Sequence, residues 1–171
     1  MKATIATILA TVLATAQAYD AVTVSKQTWF GYPDNCLDGY HAGCGNNQVA
    51  YSCVGRGARA GGDGSYDKPL TYATKKGGSL HKPCEITWFP YLKKYLVMAD
   101  ICTGCNDKQI DIWIGDGDGG QAELNCENNS PSGGGHKLIR DGSNGHSPNT
   151  NKLWSSSGGC KVSQNVYPDG N

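Results

Sequence analysis

The sequence predicts an all-β fold with one short helix and disulfide-pinned loops, and three observations predict it. Segment 95–101, YLVMADI, is dominated by β-branched and large apolar side chains without Gly or Pro, and segment 109–114, QIDIWI, alternates strictly, so both read as buried strands. Glycine supplies 24 of the 171 residues and phenylalanine only 2, a balance that implies long loops around a modest core. Eight cysteines, Cys36, Cys44, Cys53, Cys84, Cys102, Cys105, Cys126 and Cys160, make an even count behind an apolar leader. That implies a disulfide framework, and the spacing leaves its connectivity open.

Taken in order, Met1 and Lys2 precede an apolar run over 3–16 that closes on Ala16-Gln17-Ala18, a small-x-small cleavage site. Residues 1–18 therefore read as a secretory signal peptide and 19–171 as one mature domain. No later stretch is long and apolar enough to span a bilayer, so the expectation is a secreted, extracellular, monomeric protein without a membrane partner. Segment 22–32, VTVSKQTWFGY, alternates as a first strand and ends at the turn residues Pro33-Asp34-Asn35. Residues 38–65 are rich in Gly, Asn and Cys and need cysteine bridges to hold them. Segment 66–74 returns to strand character, and the central run 84–115 follows.

Beyond it, 116–120 (DGDGG) sets carboxylates at alternate positions, but it lacks the closing Glu of a calcium loop and reads as a solvated turn. Segment 118–128 is the helix, with Gln121, Ala122, Glu123 and Leu124 as good formers and Cys126 to tie it down. Asn128-Asn129-Ser130 is a glycosylation acceptor followed by Pro131. Segment 136–140 reads as the last strand and 141–157 as a polar loop anchored by Leu153-Trp154. The tail after Cys160 reads as poorly packed.

Fifteen basic and fifteen acidic residues give a formal net charge of +0, which argues against a nucleic-acid partner and leaves neutral glycans suitable. Cys102-Thr103-Gly104-Cys105 has the spacing of a redox pair or half a zinc site, and His41, His81, His136 and His146 are available nitrogens. In an oxidising compartment the structural bridge is favoured, and neither metal nor cofactor is expected. Asp100 and Asp111 interrupt apolar runs. A carboxyl placed among isoleucines, as Asp111 is, has its pKa raised by desolvation, as general-acid catalysis near neutral pH requires.

Segment 89–115 resembles the core of the secreted double-psi β-barrel proteins. These include the rare lipoprotein A-like barrels, the three-aspartate cell-wall domains, expansins, and the catalytic domains of membrane-bound lytic transglycosylase A and family-45 endoglucanases. The shared pattern is a strand ending in Asp with a Gly-containing turn, here Met98-Ala99-Asp100-Ile101-Cys102-Thr103-Gly104, then apolar-Asp-apolar-aromatic, here Ile110-Asp111-Ile112-Trp113. Uncharacterised fungal secreted barrels are similar from Thr28 (TWFGYPDNC) through Tyr66 (YDKPLTYAT) to Cys160.

The resemblance implies a six-stranded double-psi β-barrel that acts on a cell-wall polysaccharide, peptidoglycan or a β-glucan. Asp111 would be its general acid, Asp100 a tuning partner and Asp34 a second carboxylate. Tyr32, Trp29, Trp88 and Trp113 would offer faces for sugar stacking. The chain departs from the pattern at Gly31-Tyr32, where the endoglucanases carry their N-terminal aspartate, and at 72–74, where the three-aspartate domains carry a third. That incomplete carboxylate set keeps open an expansin-like, non-catalytic glycan binder or a host-directed effector.

Overall fold

The computed structural model describes residues 20–35, 46–115, 117, 119–140 and 143–168. The leader, Cys36, His41, Cys44, Asp116 and Asp118 lie outside the described residues, and with them the expectations for signal cleavage and for the 116–120 turn. The strands are β1 (Ala21–Thr23), β2 (Lys26–Phe30), β3 (Leu70–Thr74), β4 (Ile86–Phe89), β5 (Lys94–Ile101) and β6 (Gln109–Trp113). Helix α1 (Gly120–Asn129) follows, then β7 (Lys137–Ile139), β8 (Trp154–Ser155), β9 (Gly159–Cys160) and a 3-10 turn at Val162–Gln164. The chain is thus mostly sheet with one short helix. No helix among the described residues is long and apolar enough to cross a membrane.

Seven strands form one sheet in the order β1-β7-β4-β5-β3-β6-β2, and β8 and β9 form a separate hairpin. The strand count therefore differs from the six expected. The run 22–32 is two strands, because the backbone changes partners at Val24 and Ser25. Val24 N donates to His136 O at 2.8 Å on the β7 side, whereas Ser25 N donates to Lys108 O at 2.9 Å on the β6 side. Strand β1 pairs antiparallel with β7, and β2 pairs parallel with β6. The two outermost strands of the sheet are consequently joined by two residues of chain. Strand β3 is central: it runs parallel to β5 and antiparallel to β6.

Burial follows the strands. Every residue of β3 and all but the last of β5 are buried, so these strands carry apolar or well-paired side chains on both faces. Tyr72, Phe89, Leu96, Met98, Ile110, Ile112 and Leu138 make the centre of the core.

Lys94 is the exception in composition, a lysine only 1% exposed. Its Nζ donates to the carbonyls of Asp63 (2.8 Å), Asn149 (2.6 Å) and Asn151 (2.8 Å), so each ammonium proton has an acceptor and two loops are tied to one strand. Gly64, at φ +89°, lets the first loop close over it, since a Cβ there would stand 2.6 Å from Lys94 Cγ.

Disulfides join Cys53 to Cys84, Cys102 to Cys105 and Cys126 to Cys160, and no described cysteine is free. The third bridge ties α1 to β9. Leu153 and Trp154 anchor the late loop as expected, both being buried. The tail, expected to be loose, is packed as far as Tyr167. Val162 is fully buried, Tyr167 N donates to Tyr91 O at 2.7 Å, and Lys93 Nζ sits 4.3 Å from the centre of the Tyr167 ring.

Candidate active site

The site is built on one row of residues across the sheet. Asp111 of β6 pairs with Thr28 of β2 on one side and with Ala73 of β3 on the other. Ala73 in turn pairs with Asp100 of β5, because the β3–β5 register shifts between Tyr72 and Ala73. Tyr72 faces Met98 and Ala73 faces Asp100, so Ala99 is skipped. Directly paired residues present their side chains on the same face. The bulge therefore turns Asp100 onto the face that carries Asp111, with only an alanine between the two carboxyls.

The two aspartates have different surroundings. Asp100 is buried, and its Oδ1 accepts from Ala50 N at 3.0 Å and from Ile101 N at 2.8 Å. Burial raises its pKa, and the two backbone donors oppose that rise. It fastens the loop at Ala50 to β5. Asp111 keeps some residue exposure, but its Oδ1 is sealed and has no hydrogen-bond partner among the described residues. Burial pushes its carboxyl up to about 6, the Thr28 side chain opposes this, and the charges of Asp34 and Asp100 add to the rise.

Helix α1 and the turn after β2 bring three more carboxyls to the same place. Glu123 is 0% exposed, yet both its oxygens are used. Oε1 accepts from Tyr32 N at 3.3 Å, and Oε2 accepts from Gly119 N at 2.9 Å, which reaches back to the helix start in the manner of a capping box. Glu127 is 7% exposed, and its Oε1 is sealed without a hydrogen-bond partner among the described residues. Burial pushes its carboxyl up to about 9, helped by the charges of Asp34, Glu123 and Asp111. Asp34 also closes its own turn, with Oδ1 accepting from Gly31 N at 3.4 Å.

Gly31 is what permits this approach. A Cβ there would lie 2.4 Å from Glu123 Oε1 and 2.6 Å from Glu127 Oε1. Glu123, read from the sequence as a helix former, and Glu127 were not among the site residues expected from it. Their signal was present: two acids four apart on the one predicted helix share a face, an arrangement that disfavours an isolated helix and so calls for a tertiary reason.

Of the four aromatic residues expected to stack on sugar, three are enclosed. Trp29 is buried and donates Nε1–H to Pro131 O at 2.9 Å. Trp88 is held between Tyr95, at 4.9 Å, and a His146 ring stacked at 4.5 Å. Trp113 is buried edge-on to Phe30 at 5.3 Å. Their faces are taken up by neighbours, which leaves Tyr32 as the partly exposed aromatic of the four.

The described histidines are dispersed, His81 on Tyr51 Oη, His136 on the Tyr91 ring and His146 on Trp88. Among the described residues no group of three or more His, Cys, Asp or Glu is arranged to hold a metal ion. What the arrangement offers is proton chemistry: three carboxyls with raised pKa, Asp100, Asp111 and Glu127, beside Glu123 and Asp34, which accept from backbone donors.

The model of the family described as DDB_G0273701 N-terminal domain matches residues 22–161. No curated protein and no solved structure matches the chain.

Proposed function

We propose that this chain, which belongs to the DDB_G0273701 N-terminal domain family, is a secreted protein that cleaves a cell-wall polysaccharide, peptidoglycan or a β-glucan, with Asp111 as general acid. The observation that carries the reading is Asp111 itself. Burial pushes this carboxyl up to about 6, on a residue that keeps some exposure, between a second aspartate across the sheet and a cluster of carboxyls beneath α1. A group with that pKa keeps part of its proton near neutral pH and gives it up readily to a departing oxygen.

In the step proposed, the Asp111 proton passes to the glycosidic oxygen as the bond to the anomeric carbon breaks and the bonding electrons leave with that oxygen, while water, or the sugar's own 6-hydroxyl, adds to the anomeric carbon and gives its proton to a complementary carboxylate. Asp34 is the nearer candidate for the complementary carboxylate, because both oxygens of Glu123 are bound by backbone donors and Oδ1 of Asp100 is held by two.

The double-psi barrel is part of the same proposal. It is supported by the parallel pairs β2–β6 and β3–β5 flanking the antiparallel β3–β6 pair, and by the two-residue link between the outermost strands. The three disulfides and the lack of a membrane-crossing helix among the described residues fit a secreted monomer.

A second reading, an expansin-like glycan binder or host-directed effector without catalysis, is favoured by one observation. Asp34 and Asp100 each have a structural engagement, in a turn and on a loop respectively. The experiment that decides is incubation of purified protein with peptidoglycan, cellulose and mixed-linkage glucan, followed by assay for new reducing ends and anhydro-sugars. Product from one of them supports the enzyme, whereas sedimentation with a glycan that stays intact supports the binder.

A further inference from the structure

The end of β6, the 62–68 loop and the 151–154 segment enclose a cavity of about 240 Å³. Leu70, Ile114 and Leu153 give it apolar walls, together with the rings of Trp113 and Trp154. Its charged residues are three lysines, Lys68, Lys94 and Lys152, against one aspartate, Asp63. Lys94 uses its three protons on loop carbonyls and so brings charge without a free donor. Asp63 already accepts from Ser65 N at 2.9 Å. Lys68 and Lys152 are exposed, so their ammonium groups reach the cavity from the solvent side. Both indoles are buried, Trp113 at 1% and Trp154 at 5% exposure, and neither Nε1–H has a hydrogen-bond partner among the described residues. A buried indole N–H ordinarily finds an acceptor, so two left open on one cavity mark a wall short of acceptors. Gly115 lines the same cavity, and a Cβ there would stand 2.7 Å from Trp154 Cδ1, the ring atom beside Nε1. The N–H edge of this indole therefore borders the space.

We propose that this cavity binds a small organic acid, a carboxylate on a compact apolar body, with the carboxylate oxygens on the indole N–H groups of Trp113 and Trp154. A carboxylate has two acceptor oxygens and no donor, whereas an indole N–H is a donor only, so each oxygen finds one partner. The excess of lysine supplies the opposite charge. The volume lies below the ~300–1,000 Å³ of sites for drug-sized ligands, which limits the body to a single ring or a short branched chain. A neutral sugar would leave hydroxyl donors against Leu70, Ile114 and Leu153, and inorganic phosphate would leave those walls bare. Trp113 lies two residues beyond Asp111 on β6, so the cavity adjoins the carboxyl cluster while carrying the opposite charge. Binding here needs none of the carboxyls assigned to glycan cleavage and is independent of that reading.

Titration of the full chain with benzoate, followed by the indole N–H resonances in NMR, tests the site. The chain has 4 tryptophans and so four such signals. Two of them are expected to shift downfield and to saturate together, one missing from Trp113→Phe and the other from Trp154→Phe, which keep an aromatic ring in each wall. Benzamide, the same body without the charge, and inorganic phosphate, the charge without the body, are each expected to bind at least about tenfold more weakly. Lys68→Gln combined with Lys152→Gln, both at exposed positions, is expected to weaken benzoate about threefold at low salt and to leave the melting temperature unchanged. Benzoate that moves neither the Trp113 nor the Trp154 signal would overturn the proposal and leave water as the occupant. Benzamide or phosphate bound as tightly as benzoate would overturn the choice of a carboxylate on an apolar body. Should a tryptophan variant not fold, the lysine pair decides, since benzoate affinity indifferent to both lysines contradicts the site.

Discussion

Gly31, just after β2, lies beneath Glu127, so that a Cβ on it would stand 2.6 Å from the helix carboxyl's Oε1. The same Cβ would be 2.4 Å from Glu123 Oε1. Neither oxygen can retreat freely, because Glu123 is held by two backbone donors and Glu127 is buried. Gly31→Ala is therefore expected to destabilise the fold by roughly 1–3 kcal/mol, the usual range for overpacking. Urea unfolding measures it, and a variant as stable as the parent would show that α1 does not press on β2 as described.

Stability should fall as pH rises. Glu127 has its pKa raised from 4.5 to about 9 in the folded state, so between those values the folded chain holds a proton that the unfolded chain has released. The slope of stability with pH is then negative across that window and vanishes below it, where both states are protonated. Asp111 contributes the same sign over a narrower window, from 3.8 to about 6. The melting temperature is expected to decline from pH 5 to pH 8, above which Lys94, lowered to about 8 by burial, adds stability with rising pH, and Glu127→Gln, which has no proton to lose, is expected to flatten most of that decline. A Glu127→Gln curve that runs parallel to the parent's would contradict the assignment.

Lys94 holds two loops through three carbonyls at 2.6 to 2.8 Å. Lys94→Met preserves the length of the stem and removes all three bonds, leaving part-buried acceptors unpaired. The expected loss is about 3 kcal/mol or more, with faster amide exchange at Tyr95, whose N–H donates to Gly64 O at 2.8 Å. Unchanged exchange there would mean that the lysine is not the tie.

The described cysteines are all bridged, and the link from Cys126 to Cys160 closes 34 residues of sequence between α1 and β9. Replacing both with serine should cost about 2–4 kcal/mol and lower glycan activity through the displaced Glu123 and Glu127. Thiol titration of the denatured, unreduced protein is expected to find none of the eight cysteines free, which brings Cys36 and Cys44 into the same statement. Two or more free thiols per chain would contradict it.

The strongest strands were legible because composition alone determines them. Segments 95–101 and 109–114 lie within or across β5 and β6, where buried β-branched and large apolar residues leave little alternative. The helix and its tether by Cys126 were legible for similar local reasons. The division of 22–32 into β1 and β2 was not. Val24 and Ser25 change hydrogen-bond partners without any Gly or Pro to mark the place.

Nor was the bulge that skips Ala99 and turns Asp100 toward Asp111, since a register shift is fixed by the partner strand and not by the residues that shift. Asp34 could be read as a turn residue and, from the resemblance, as a second carboxylate, but not as a neighbour of Glu127, which lies 93 positions away and acts on it only in the folded chain. The tail was misread because Val162, Val166 and Tyr167 are scattered among polar residues, and the burial of Val162 depends on the rest of the core.

The central claim is that Asp111 supplies the proton that breaks the glycosidic bond. Asn is nearly isosteric with the protonated acid and carries no ionisable proton. Because the carboxyl already resists ionisation, the exchange should leave the fold intact. The direct measurement is the rate at which Asp111→Asn releases new reducing ends or anhydro-sugars from the glycan that the parent cleaves, alongside its melting temperature. The account predicts a loss of roughly a hundredfold or more, with the melting temperature within a few degrees of the parent's. A folded Asp111→Asn protein of full activity would contradict it.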